Sequence, residues 1–214
     1  MVVNIIAAII IGYLLGAIPF AYIIGRFKKG IDVRQKGSGN VGALAVWREV
    51  GPVFGIIALA ADVGKGVLAV YAARWLGLDI ELDIGWICAA GFAAVAGHNW
   101  SVFLKFGGGK GAATIMGVLL ALMPIQFANG LGIAILIVIP TSNIRLGMIG
   151  LACIPLMAWL FDKPPAYIYY PLFLILFLGA YTLIGLRKEI ARGGEKKGLI
   201  IDKKYNFWQT RKNR

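Results

Sequence analysis

Long apolar runs, separated by short charged connections, account for most of the chain. Val2 to Gly25 carries no charge, and the first cations follow at Arg26, Lys28 and Lys29. Pro52 to Ala73 is apolar except around Asp62 and Lys65, and Ile84 to Leu104 comes next. A longer run extends from Ala112 to Pro140, a short one from Leu146 to Phe161, and a last one from Tyr167 to Leu186. A membrane-spanning helix needs about 20 apolar residues, because roughly 1.5 Å per residue must cover about 30 Å of hydrocarbon. The pattern therefore predicts an all-α fold, a polytopic membrane helical bundle. The first run is too long for the apolar core of a signal peptide, so it is expected to be a retained span.

The connections orient the spans, because Lys and Arg are enriched in cytoplasmic loops. Six of them (Arg26, Lys28, Lys29, Arg34, Lys36, Arg48) lie between Arg26 and Val50, which makes that segment cytoplasmic. Asp79, Glu81 and Asp83 mark the next connection as external, and Lys105 and Lys110 return the chain to the inside. The tail from Arg187 onward holds ten Lys/Arg and belongs inside. An N-terminus outside and a C-terminus inside require an odd number of crossings, which six single spans do not supply. The run from Ala112 to Pro140 is the place for the missing one, since Pro124 breaks a helix and Gln126 and Asn129 can cap a turn near its middle. About seven transmembrane helices are expected, with five spans and a re-entrant piece as the alternative. In both arrangements Ser142 to Arg145 is cytoplasmic. The expected organisation is one integral-membrane domain over 1–186 and a basic cytoplasmic tail over 187–214, in the cell (plasma) membrane.

Composition strengthens this picture. The 214 residues are 59% hydrophobic and only 15% charged, against about 25% charged in a soluble domain. The net charge of +12 suggests nucleic acid at first, but the cations cluster in connections and tail, so no nucleic-acid partner is expected. Cys88 and Cys153 each sit in an apolar run without metal-ligand spacing, and neither a metal nor an organic cofactor is indicated.

Three polar segments fall on the cytoplasmic side. Gly37-Ser38-Gly39-Asn40-Val41-Gly42 can turn backbone amides toward an anion, with Ser38 and Asn40 as side-chain donors; it serves equally as a flexible turn before a helix. Gly97-His98-Asn99-Trp100-Ser101, followed by Phe106-Gly107-Gly108-Gly109-Lys110-Gly111, joins the end of one span to the start of another. Free amides at that helix N-terminus and Lys110 can meet a phosphate together. It is not a Walker loop, because Leu104 and Gly111 stand where Gly and Ser or Thr are required. His98 is the chain's single histidine. A lone histidine near a helix end is more often structural than catalytic, but beside a glycine-lysine cradle it can exchange a proton with a reacting hydroxyl. The spacing His-x-x-x-x-Asp is absent, with Phe103 at the fifth place. Asp62 and Lys65, three apart on one helical face inside a span, are expected to pair or to face the interior.

These residues resemble a family. Gly37-Ser38-Gly39-Asn40-Val41-Gly42-Ala43 with Arg48 is similar to the first motif of the PlsY family, the acyl-phosphate:glycerol-3-phosphate acyltransferases. Gly97-His98, Phe103, Phe106, Gly108-Gly109-Lys110-Gly111 and Ala113-Thr114 resemble its second motif. Asp62, Lys65 and Gly66 fit the polar pattern of the second span, and Arg192 and Glu195 the C-terminal segment. The resemblance implies a seven-helix membrane enzyme with its site at the cytoplasmic face, acylating the 1-hydroxyl of glycerol 3-phosphate from acyl phosphate. It places Lys110, Arg48 and the Gly107, Gly108 and Gly109 amides on phosphate, Ser38 and Asn40 on the acceptor, and His98 beside the reacting hydroxyl. Its substrates are acyl phosphate and glycerol 3-phosphate, among membrane lipids.

The chain departs from the family pattern at several positions. Leu44 and Ala45 follow Ala43 where Thr-Asn is usual. Arg145 precedes Leu146 where the third motif has a serine-leucine pair, Met148 stands where a second serine is usual, and Glu189 stands in place of an asparagine. Polar acceptor contacts are lost, while Arg145 adds a cation to the substrate-binding set. A different hydroxyl acceptor, and a non-enzymatic carrier of phosphorylated metabolites, are the competing expectations.

Overall fold

A computed structural model describes residues 1–36, 41–141 and 144–191, with backbone only at 144, 145 and 186–191, and its regular structure is helical. The chain forms two compact units, Met1–Pro124 and Ile125–Arg214. Among the described residues four helical segments are long and apolar enough to cross a membrane: Val2–Lys29, Pro52–Trp75, Pro124–Thr141 and Pro165–Gly185. Ala112–Leu122 and Leu146–Leu160 are shorter apolar helices. The basic tail beyond Ala191, with Arg192 and Glu195, lies outside the described residues, as do Ser142 and Asn143.

The first unit holds α1 (Val2–Ala17), α2 (Phe20–Lys29), α3 (Ala43–Glu49), α4 (Pro52–Trp75), α5 (Ile84–Asn99) and α6 (Ala112–Leu122). The run expected as one span from Val2 to Gly25 is interrupted. Pro19 disfavours helical backbone at the residue before it, and Ile18 is extended at φ −60°, ψ 117°. The longer apolar run parts at Met123, just before Pro124, as the proline predicts.

Small residues let these helices approach closely, as is usual where lipid supplies no hydrophobic drive between them. A Cβ at Gly12 or Gly16 of α1 would strike the carbonyls of Ala90 and Ala94 in α5. A Cβ at Gly117 of α6 would strike the Val63 carbonyl in α4. Asn4 near the start of α1 donates to the Leu76 carbonyl at the end of α4 (2.8 Å). The Ser101 hydroxyl, just past α5, donates to the Ala17 carbonyl at the end of α1. So α1 and α5 run parallel with α4 antiparallel to both. The cationic segment after α2 and the loop after α5 share one end, opposite the acidic turn at Asp79–Asp83.

At the cationic end Asp32 is buried between two arginines. It accepts from the Arg34 backbone N–H (3.0 Å) and from its Nη2 (2.7 Å), while Arg26 Nη2 lies at 3.4 Å. Both guanidiniums also lie over the Tyr22 ring, at 5.0 and 5.5 Å. The hydrogen bonds from Arg34 hold the Asp32 carboxyl below its usual 3.8. A depressed folded-state value adds stability that is complete above the unfolded value and lost as pH falls through the folded one. Asp32→Asn is expected to lower the thermal midpoint at neutral pH and to flatten its decline toward about pH 3. Melting curves of both proteins in detergent check this.

The second unit comprises α7 (Pro124–Thr141), α8 (Ile144–Ala152), α9 (Ile154–Leu160) and α10 (Pro165–Ala191). Gly130 of α7 and Gly150 of α8 allow close backbone approach; a Cβ on Gly130 would lie 2.7 Å from the Gly150 carbonyl. The short run from Leu146 to Phe161 breaks at Cys153, ahead of Pro155, into α8 and α9.

Candidate active site

The break between α1 and α2 frees carbonyls that a continuous helix would satisfy. Within a membrane protein each needs another partner. Ala17 O takes the Ser101 hydroxyl, and Ile18 O takes Lys65 Nζ at 3.2 Å. Lys65 reaches across from α4 with its Nζ 6.0 Å from the centre of the Phe20 ring. It pairs with Asp62 Oδ1 at 2.8 Å, and both side chains are almost fully buried. This is the internal ion pair that their i, i+3 spacing predicts. The same Asp62 oxygen also faces His98 Nδ1, at 3.6 Å. That contact joins residues 36 positions apart on different helices, so spacing along the chain does not reveal it.

Beyond α5 the chain doubles back on itself. The Ser101 N–H donates to Gly107 O (3.0 Å) and Phe106 N–H to Ser101 O (2.8 Å). Lys105 and Phe106 turn the corner in left-handed backbone, at φ 55° and 60°. Each such residue costs about 1 kcal/mol or more, a cost typical of functional loops. Gly108 and Gly109 then lie flat on the end of α5, where the Gly109 N–H donates to His98 O (3.1 Å). Neither glycine has room for a side chain. A Cβ on Gly108 would meet the carbonyls of His98 and Asn99, and one on Gly109 would meet His98 Nε2 and Val41 O. Gly111, at φ 83°, starts α6, whose first-turn amides have no intrahelical acceptors. Half-buried Lys110 is thus held between two constrained glycines at a helix N-terminus.

His98, Asp62, Lys65, Ser101, Val41, Gly108 and Gly109 line one small cavity with the Gly16–Ala21 break, with room for about one water. Beside it, sharing Ile18, Pro19 and Leu104, runs an open apolar groove of about 370 Å³ completed by Tyr22, Ile23 and Phe103. A glycine-rich turn and an apolar groove therefore meet at the α1–α2 break.

The structure brings together His98, Lys110, Gly107, Gly108 and Gly109. Arg48 is exposed in the last turn of α3, a few residues beyond Val41, whose carbonyl abuts Gly109. Ser38 and Asn40 lie outside the described residues. Arg145 is in the first turn of α8 in the second unit, with its side chain likewise outside the description. Among the described residues no three His, Cys, Asp or Glu side chains converge as metal ligands would. Sequence reasoning missed Ser101 as a partner of Ala17 and the link from Asp62 to His98. Pro19 was the available signal for the break that organises both.

The sequence profile of glycerol-3-phosphate acyltransferases matches residues 6–195. The chain belongs to that family, the PlsY family. Among its relatives, glycerol-3-phosphate acyltransferase 1 of Dehalococcoides mccartyi is 36% identical over 201 residues, covering 91% of this chain and 95% of the relative. Glycerol-3-phosphate acyltransferase 2 of Moorella thermoacetica is 40% identical over 162 residues, covering 75% and 81%. The crystal structure of PlsY in its glycerol 3-phosphate form superposes with a TM-score of 0.76 at 27% identity, covering 89% of this chain and 94% of that one. The lysophosphatidic acid form of PlsY gives 0.74 at 26%, covering 89% and 93%. The PlsY-like fold makes this a multi-pass membrane protein.

Proposed function

We propose that the protein transfers a fatty acyl group from acyl phosphate to the 1-hydroxyl of glycerol 3-phosphate, giving lysophosphatidic acid and inorganic phosphate. The observation that carries this reading is the Gly108–Gly109–Lys110 turn, pressed against His98 at the head of α6 and bordered by an apolar groove. Both substrates carry phosphate, and one carries a long tail that the groove would accept. Family membership and relatives named for this activity support it.

An acyl phosphate is an activated mixed anhydride, so no covalent enzyme intermediate is needed. The protein has only to position the partners and stabilise charge. The acceptor oxygen bonds to the acyl carbon, and the bond from that carbon to the phosphate oxygen breaks. Phosphate leaves with the bonding pair, while the hydroxyl proton passes to His98. Lys110, Arg48 and the Gly108 amide hold phosphate, since the Gly107 and Gly109 N–H groups already donate to Leu104 O and His98 O; Ser38 and Asn40 orient the acceptor. The enzyme is a single membrane domain of about seven crossings with a basic tail. Its N-terminus is outside, and its site faces the cytoplasm at the plasma membrane, where cationic connections gather.

Leu44 and Ala45, which fill the first turn of α3 with apolar side chains, favour a second reading with another hydroxyl acceptor. Phosphate release from palmitoyl phosphate by the purified protein, with and without glycerol 3-phosphate, tests both. Release that requires glycerol 3-phosphate and yields lysophosphatidic acid is expected. Release that ignores it but responds to another alcohol transfers the activity to that acceptor. No release, with phosphate-ester uptake into proteoliposomes, makes the protein a carrier.

A further inference from the structure

Asp62 is buried in the middle of α4 and touches two groups of opposite demand. Lys65 Nζ is a pure donor and lies 2.8 Å from Asp62 Oδ1. His98 Nδ1, which carries either a proton or a lone pair when the ring is neutral, faces the same oxygen at 3.6 Å. A lone pair aimed at a carboxylate oxygen is repelled, whereas an N–H is attracted. The other ring nitrogen, Nε2, lies where a Cβ on Gly109 would stand, and both residues line the small cavity. Lys65 neutralises the carboxylate, so a charge can stay buried there without a proton of its own.

We propose that Asp62 is a positioning residue: it holds the proton of the neutral His98 ring on Nδ1 and leaves Nε2 bare toward the Gly108–Gly109 turn. His98 then faces the cavity as a hydrogen-bond acceptor. At 3.6 Å the contact is longer than a hydrogen bond, so the carboxylate acts on Nδ1 by electrostatic attraction. The tautomer rests on this geometry alone. Its catalytic consequence rests on the proposed acyl transfer, in which a bare Nε2 is what accepts the hydroxyl proton.

Because His98 is the only histidine in the chain, ¹⁵N-histidine labelling of the full-length protein in detergent reads this one ring without overlap. Spectra are taken in alkaline buffer. The expected result is a protonated Nδ1 and an unprotonated Nε2. In Asp62→Asn, Lys65 still needs an acceptor and takes the amide oxygen, which turns the amide NH₂ toward Nδ1. The proton is then expected to move to Nε2. Asp62→Glu keeps a carboxylate and should keep the wild-type tautomer.

In the phosphate-release assay Asp62→Asn should lower kcat about tenfold or more while the KM for glycerol 3-phosphate stays within about twofold; a mere packing defect would not produce this split together with a reversed tautomer. A protonated Nε2 in the wild type overturns the proposal, even where a variant fails to fold. So does an Asp62→Asn spectrum that matches the wild type. Failure of the wild type to release phosphate with glycerol 3-phosphate overturns the acyl-transfer reading instead, and leaves the spectra to decide the tautomer.

Discussion

Lys110→Ala is expected to reduce glycerol 3-phosphate-dependent phosphate release by about 100- to 1000-fold, the usual cost of removing a pre-placed donor to developing charge. The side chain is not free to be replaced by a neighbour. Gly109, bonded to His98 O, fixes the chain on one side, and Gly111 at φ 83° commits it to α6 on the other. That arrangement places Lys110 two residues before the first turn of α6, whose amides lack intrahelical acceptors, and charge-assisted bonds to phosphate are the strong ones. Lys110→Arg keeps the charge but replaces a compact ammonium with a planar fork, so partial activity is expected. Near-wild-type release by Lys110→Ala would remove this residue from the site.

Gly109→Ala is the second large effect expected, a loss of about 100-fold, because misplacing reacting groups by about 1 Å costs that much. The added methyl has nowhere to go. His98 Nε2 lies on one side of it and the Val41 carbonyl, 2.5 Å from the ideal Cβ position, on the other. The turn must lift from α5, carrying Lys110 with it. Gly64→Ala is the matched control, since a Cβ there meets nothing within 4 Å. Its melting temperature and activity should stay at wild-type values. Comparable losses in both variants would point to general intolerance of alanine instead of a built turn.

How much of this was legible beforehand depends on the range of the interaction. The spans follow from local composition, and the break before Pro124 follows from one residue's missing N–H and fixed φ. The Asp62–Lys65 pair follows from helical periodicity. The interruption at Ile18–Pro19 carried the same proline signal, but the uncharged run around it reads as a single span when hydropathy alone is weighed. Nothing local could connect Asp62 to His98 or Ser101 to Ala17, since those contacts exist only once α1, α4 and α5 are packed. In the site itself, the glycines and Lys110 stood out by composition. What composition lacked was the reason: Gly108 and Gly109 are required by the surface of α5 on which they lie, as much as by any ligand.

The broken end of α1 also bears on how such a protein is made. The Ala17 carbonyl is exposed as soon as the first span enters the membrane, while that of Ile18 has only the local Phe20 N–H. Their partners, Ser101 and Lys65, are synthesised 84 and 47 residues later. Until then the nascent chain carries unsatisfied polar backbone in an apolar medium, a state that favours staying at the insertion machinery over release into lipid. That end of the first unit is therefore closed only once α5 is packed, and a ribosome stalled before α5 would leave the Ala17 carbonyl without its partner.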